Sequence, residues 1–414
     1  MSISKSVLSV SAALVAVGFA SAETMDRPQG VKIGQRMTLR PYVSASVSYD
    51  SNAGSSSSSN NGDALWTVSP GLGLDYTAES WSLLLSLYYN YRSYTKSENV
   101  RRFNQHSYGE TLRWNWSNSR GGEKGWSVML SETLRKVTMA DDLTYADGSS
   151  YTADRMQFDV NGGLQRRFNE YWHGDIHAGY YRLDYDNDTS TDRISNYGWS
   201  RWNIGAEGGF APTRWTDIII ALGYHGYAQD NTDNTEYDGY SQGYSLQGGL
   251  GSYMTERISY RALAGWSRFE YADGESSSDG FVYTLSGNWK IGDTWNTMLM
   301  ASSYYQPSER QKSSKTRVDS LGWGLGKSLV RGKLRATIDV TYRHETIESI
   351  NSNYSDYDLD IATGRLGLHY TLNRFLGCFV TAEYQRSWNS DSGRATSYGD
   401  YDRWRLTAGL RLTY

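Results

Sequence analysis

His173, Asp175 and His177 stand at alternate positions of one segment. Alternate residues of an extended chain share a face, so two imidazoles and a carboxylate line up, a donor set that a divalent transition metal accepts. Same-face neighbours on a strand are roughly 6.5–7 Å apart, so a metal site here needs ligands from a second strand. Without them the three are ordinary polar wall residues. Two oxygen-rich runs, Asp184-Tyr185-Asp186-Asn187-Asp188 and Asp230-Asn231-Thr232-Asp233-Asn234, carry groups that calcium accepts. They lack the ordered spacing and closing glutamate of a calcium loop and read as solvated surface loops. Serines and 6 histidines are present without a nucleophile motif. A triad is defined by geometry and not by chain order, so the chain reads as a non-enzyme with no cofactor.

Arginine is the residue type with the clearest pattern. Arg113, Arg135, Arg335, Arg343, Arg365, Arg403, Arg405 and Arg411, with Arg201 and Arg261, share the parity of small polar residues such as Ser86, Thr111 and Ser131. On the same parity stand Asp159, Asp175, Glu207, Asp217, Asp339 and Glu383. One reading is a basic stripe along a channel wall that favours anionic solutes such as acidic sugars. The other is a set of wall arginines that pair with neighbouring carboxylates and stiffen the structure. Both stay open on the sequence alone.

The elements that hold these residues are strands. From Trp404 to Tyr414 every even position is apolar or aromatic, and every odd one is polar or glycine. A period of two over this length describes a strand with one greasy face and suits a tilted bilayer crossing of roughly 9–11 residues. An isolated strand cannot sit in hydrocarbon, because its unpaired backbone groups demand partners, and only a closed ring supplies them all. The same alternation recurs along the chain, from Val43, Ala45, Val47 and Tyr49 onward. It predicts an all-β, transmembrane, antiparallel up-and-down β-barrel of about eighteen strands, with sixteen as the alternative. Pro70 and Thr363 break the pattern and are placed at bulges. Tight turns such as Asn169-Glu170 alternate with longer loops such as Ser387–Asp400, as periplasmic turns and outer loops do.

Aromatics fall at two depths on the outward parity. Trp81, Trp126, Trp172 and Trp295 open rising strands, and Tyr49, Tyr91, Tyr180, Tyr224, Trp266, Tyr342 and Tyr384 end them. These are the expected interfacial girdles. The last strand, with Trp404, Leu406, Leu410, Leu412 and the terminal Tyr414, is the expected signal to the barrel-assembly machinery.

Residues 1–22 read as a signal peptide: Lys5, an apolar run from Val7 to Phe19, then Ala20-Ser21-Ala22. Residues 23–37 form a periplasmic leader and 38–414 the barrel, with no separate domain before Thr38 to plug it. The composition holds 34 Tyr, 15 Trp and 42 Gly against 5 Pro, which suits ladders that need every N–H. The single Cys378 excludes an intramolecular disulfide framework. A formal charge of −4 leaves no basic footprint for nucleic acid. Mean hydropathy of −0.62 does not exclude the membrane, since only alternate strand residues face lipid.

Arg40-Pro41-Tyr42-Val43-Ser44 through Asp50-Ser51-Asn52, then Thr67-Val68-Ser69-Pro70-Gly71-Leu72 and Tyr88-Tyr89-Asn90-Tyr91, resemble the β-barrel porin 2 family. That family includes outer-membrane proteins encoded near exopolysaccharide genes. The resemblance covers residues 38–414 and implies an outer-membrane barrel conducting solutes or polysaccharide, with no catalytic residues to transfer. The expectation is a porin-like channel for passive diffusion of small hydrophilic solutes, anionic ones or saccharides. Its rivals are a closed structural or adhesive barrel displaying surface loops, and a conduit for polysaccharide export. Expected partners are outer-membrane lipid and lipopolysaccharide, the assembly machinery, and small solutes or saccharides.

Overall fold

The computed structural model describes residues 30–52, 62–95, 104–118, 124–139, 153–186, 199–213, 215–229, 240–252, 257–271, 277–307, 314–349, 356–389 and 400–414. The signal sequence 1–22, Asn187-Asp188 and Asp230–Asn234 lie outside these residues.

A short strand, β1 (Val31–Ile33), folds back on the start of the next one. The others are β2 (Met37–Asp50), β3 (Asp63–Thr77), β4 (Trp81–Tyr94), β5 (Asn104–Ser117), β6 (Gly125–Met139), β7 (Ala153–Arg167), β8 (Trp172–Asp186), β9 (Trp199–Thr213) and β10 (Thr216–Gln229). The second half holds β11 (Tyr240–Ser252), β12 (Ile258–Glu270), β13 (Ser277–Ile291), β14 (Trp295–Pro307), β15 (Ser314–Leu329), β16 (Leu334–Ser349), β17 (Tyr357–Thr371), β18 (Leu376–Asn389) and β19 (Tyr401–Thr413). Each of β2 to β19 pairs antiparallel with its sequence neighbours, and β19 returns to β2 from Arg405↔Asp50 to Thr413↔Tyr42. The result is a closed barrel of eighteen strands with no free edge.

Register puts like with like. Trp81 lies opposite Trp116, Leu85 opposite Leu112 and Tyr89 opposite Tyr108, so the apolar parity of every strand forms one continuous outer surface. Its side chains are open to the surroundings: Ile220 is 59% exposed, Trp266 55% and Leu406 55%. A water-facing wall would not carry such a surface; a hydrocarbon-facing one must. On this surface Trp81 stacks on Tyr76 at 4.5 Å, Trp295 carries the Lys327 ammonium 4.0 Å from its ring centroid, and Trp126 carries the Arg166 guanidinium at 4.5 Å. Trp172 meets Phe210 at 4.7 Å. At the other end Tyr384 meets Trp404 at 4.4 Å, and Tyr224 meets Tyr244 at 5.2 Å. Tyr49 lies opposite Leu406, Tyr91 opposite His106, Tyr180 opposite Trp202, Trp266 opposite Phe281 and Tyr342 opposite Leu321. Leu410 and Leu412 of β19 are more than half exposed. The Tyr414 N–H donates to the Pro41 carbonyl at 3.0 Å, and its ring stacks on Phe375.

Two expected bulges are absent. The Thr363 region pairs without interruption to both β16 and β18, and its apparent change of phase has another cause. Leu359 and Ile361 keep the inward parity of Arg365, and Leu359 is fully buried. Pro70 adds no extra residue either. The β3–β4 register passes from Val68↔Tyr91 to Gly71↔Tyr88 with equal counts on both strands, a local gap where proline has no N–H to donate. A register shift does occur between Thr216 and Ile218 against β9, the strand that contains Pro212.

Two carboxylates break the apolar surface. Glu110 lies between Leu87 and Leu134, and Glu132 between Leu112 and Val160, all on the outward face. Acid on the lipid face is unfavourable, less so than Arg or Lys and less near the interface. Glu132→Leu is therefore expected to stabilise the barrel by about 1 kcal/mol, read as a higher urea midpoint in lipid vesicles; an unchanged or lower midpoint contradicts this.

Candidate functional site

The inner wall carries the charged groups, and register decides which of them meet. At the β19–β2 seam Arg405 lies directly opposite Asp50. Asp50 is completely buried, and the Arg403 side chain is 3% exposed. Arg403 Nε donates to both Asp50 oxygens at 3.0 Å, and Arg405 Nη2 reaches Oδ2 at 2.9 Å. Ser48 and Thr407 hydroxyls bond beside them at 2.7 Å. The one carboxylate thus bridges two guanidiniums where the ring closes. Asp50 is absent from the acids picked out by sequence; the signal was its even parity, shared with Ser44, Ser46 and Ser48.

On β8 to β12 the candidate metal ligands pair separately. His173 Nε2 lies 2.6 Å from Asp217 Oδ2, and His177 Nδ1 lies 3.0 Å from Asp175 Oδ1. Among the described residues no group of three or more His, Cys, Asp or Glu is placed to hold a metal ion. Asp175 faces Glu207 directly across the ladder, a like-charge contact that is unfavourable by itself. Arg261 relieves it, its Nη1 donating to Glu207 Oε1 at 2.8 Å.

Other arginines of the expected stripe are met locally. Arg135 donates to Gln157, and Arg343 Nε lies 2.7 Å from Glu345 Oε1. Arg365 Nε donates to Glu383 at 2.9 Å. Arg335 lies over Gly326, and the Arg411 guanidinium sits 4.4 Å from the Tyr42 ring centroid. Arg40, which closure brings to the same sector, pairs with Asp75. Arg113 and Arg411 are exposed on the inner face, and the Arg365 side chain is 46% exposed.

Sequence reading missed the lining at the long-connection end. Inward positions there are apolar and buried: Leu65 packs with Tyr94, and Tyr227 with Phe269 and Tyr271. Trp199 and Tyr181 extend the second cluster at 4.8 Å, with Arg201 over the Tyr181 ring at 5.5 Å. Burial pushes the Tyr271 hydroxyl above its ordinary pKa. Alternation hid these residues because an apolar inward position beside an apolar outward one reads as a change of phase.

Rings elsewhere on the wall lie flat against it. A Cβ on Gly71 would fall in the Tyr42 ring, one on Gly205 in the His177 ring, and one on Gly409 against Phe379. Each glycine is the direct cross-strand partner of its ring. Only a residue without a side chain leaves that room.

No family profile and no curated protein sequence matches the chain. Solved structures do. The FrpB iron transporter from Neisseria meningitidis (F3-3 variant) superposes with a TM-score of 0.48 at 10% identity, over 88% of this chain and 64% of its own. The siderophore receptor PirA from Acinetobacter baumannii gives 0.47 at 8% identity, over 93% and 81%. The outer membrane protein opdK from Pseudomonas aeruginosa gives 0.40 at 13% identity, over 91% and 99%. This chain spans less than two thirds of the FrpB chain. Likeness at this level carries no argument; the closed ring of strands and its exposed apolar exterior do. This chain is an outer-membrane β-barrel.

The resemblance to the β-barrel porin 2 family is not upheld, since no family profile matches the chain. The residues that carried it have local roles. Pro70 sits in a ladder gap, and Gly71 makes room for Tyr42. The expected channel for passive diffusion falls with it. That expectation rested on an inner wall of small polar residues. The wall also carries buried ion pairs, and it is apolar at the long-connection end.

Proposed function

We propose that the barrel is a ligand-selective outer-membrane transporter, without enzymatic activity, whose inner wall recognises a polar anionic ligand. One observation carries this reading: three arginines of the inner wall are exposed, whereas its described carboxylates are buried or half-buried. Arg113, Arg365 and Arg411 open onto the lumen, whereas Asp50, Asp217 and Glu207 are held in buried pairs. An exposed guanidinium binds carboxylate or phosphate in bidentate fashion, and a wall with accessible positive charge favours anions. Phospholipid and lipopolysaccharide surround the exterior. The assembly machinery engages the last strand through Trp404, Leu406, Leu410, Leu412 and Tyr414. Nucleic acid is not a partner.

The test is uptake by liposomes containing the purified barrel. An acidic disaccharide is expected to enter saturably and faster than its neutral counterpart of equal size. Combining Arg113→Gln, Arg365→Gln and Arg411→Gln is expected to lower the apparent affinity about tenfold, the loss of one charge-assisted contact. Uptake that rises linearly with concentration and ignores charge would remove the proposal.

A further inference from the structure

Just beyond the outward aromatic row at the long-connection end lies a second row, of charge. A basic side chain follows two residues after the aromatic on the same face: Arg182 after Tyr180, Arg268 after Trp266, His344 after Tyr342, Arg386 after Tyr384. Each has an acid at hand. Arg182 Nε lies 2.9 Å from Asp184, Arg268 Nε 3.3 Å from Glu270, His344 Nδ1 2.8 Å from Asp360, and Arg386 Nε 3.8 Å from Asp402. Arg317 and Asp319 repeat the arrangement on β15 at 3.0 Å. The tyrosines mark where hydrocarbon ends: Tyr342 and Tyr384 donate their hydroxyls outward, to Asp360 at 2.5 Å and to Asp402 at 2.7 Å.

Stability does not account for this row. Exposed ion pairs contribute about 0–1 kcal/mol, and the Arg386 and Asp402 side chains are 57% and 58% exposed. A row for anionic phospholipid alone would be basic throughout, yet this one alternates in sign. Alternation matches a surface of phosphates bridged by divalent cations: guanidinium takes phosphate bidentately, and carboxylate takes the divalent ion. On β15 to β17 these groups adjoin, Asp319 opposite His344 and His344 opposite Asp360; Trp388 lies opposite Asp360, and on β18 and β19 Arg386 lies opposite Asp402. The row also joins the lipid-contacting band without a break.

We infer that the charged row on β15 to β19 is a binding surface for the phosphorylated headgroups of outer-leaflet lipopolysaccharide, with Arg317 and Arg386 on phosphates and Asp319 and Asp402 on their divalent cations. The inference rests on the outer-membrane placement, with the long connections outward, and is independent of what the lumen carries.

The test uses the full barrel in mild detergent, titrated with purified lipopolysaccharide and, separately, with phosphatidylglycerol. Bound lipid is counted by native mass spectrometry with and without magnesium. Arg317→Gln with Arg386→Gln is expected to lose several-fold in lipopolysaccharide binding under both conditions. Asp319→Asn with Asp402→Asn is expected to lose only the magnesium-dependent part. Heat-modifiable mobility on gels reports that each variant is folded. Equal binding by wild type and both double variants overturns the inference, as does phosphatidylglycerol binding as tightly as lipopolysaccharide. Recovery of the wild-type protein outside the outer-membrane fraction would instead refute the placement, a separate result.

Discussion

Asp50→Ala is expected to destabilise the barrel by about 3–5 kcal/mol, the cost of breaking a buried pair and leaving its partner charged. The carboxylate is fully buried and accepts from both Arg403 and Arg405 across the closing seam. Its removal leaves two guanidiniums side by side, one of them nearly without solvent. Opening any ladder of a barrel exposes backbone to hydrocarbon, so the loss falls where the ring is completed. The measurement is urea unfolding in lipid vesicles, with heat-modifiable mobility as a second readout. Asp50→Asn separates charge from shape: it retains an acceptor and should lose less. A midpoint for Asp50→Ala within error of wild type would show that the seam is held by its ladder alone. Arg403→Met with Asp50→Leu should recover part of the loss, because a buried pair replaced as a unit by apolar groups is often tolerated.

Gly205→Val should cost about 1–3 kcal/mol, the usual range for overpacking. A Cβ at Gly205 falls inside the His177 ring, so the imidazole must leave the wall and give up its 3.0 Å contact with Asp175. Gly208 supplies the control, since a Cβ there meets nothing within 4 Å; Gly208→Ala should change stability by less than about 0.5 kcal/mol. Adding His177→Ala to Gly205→Val should restore most of the loss if the clash is its cause. If the double variant remains as unstable as Gly205→Val, the valine acts through the backbone and the ring contact is irrelevant.

The barrel itself was legible in the residue pattern. Alternation from Val43 to Tyr414 determined the strands, their outward faces and, through the even count, the closure of β19 on β2. A period of two is a local property, which is why it survives reading one strand at a time. Inner-wall chemistry was not legible in that way. Parity places Arg403, Arg405 and Asp50 on one face, but only the register of residues more than 350 positions apart joins them. The stripe of arginines read from sequence is therefore a set of separate local contacts, among which Arg113, Arg365 and Arg411 are exposed. His173 and His177 share one face of β8, yet His173 meets Asp217 on β10 while His177 meets Asp175, which lies between them on β8. The glycines under Tyr42, His177 and Phe379 look like any others in the chain until the neighbouring strand is slid into place. Charge pairing and ring packing act across strands over a few ångströms, and only tertiary structure decides which strand positions come that close.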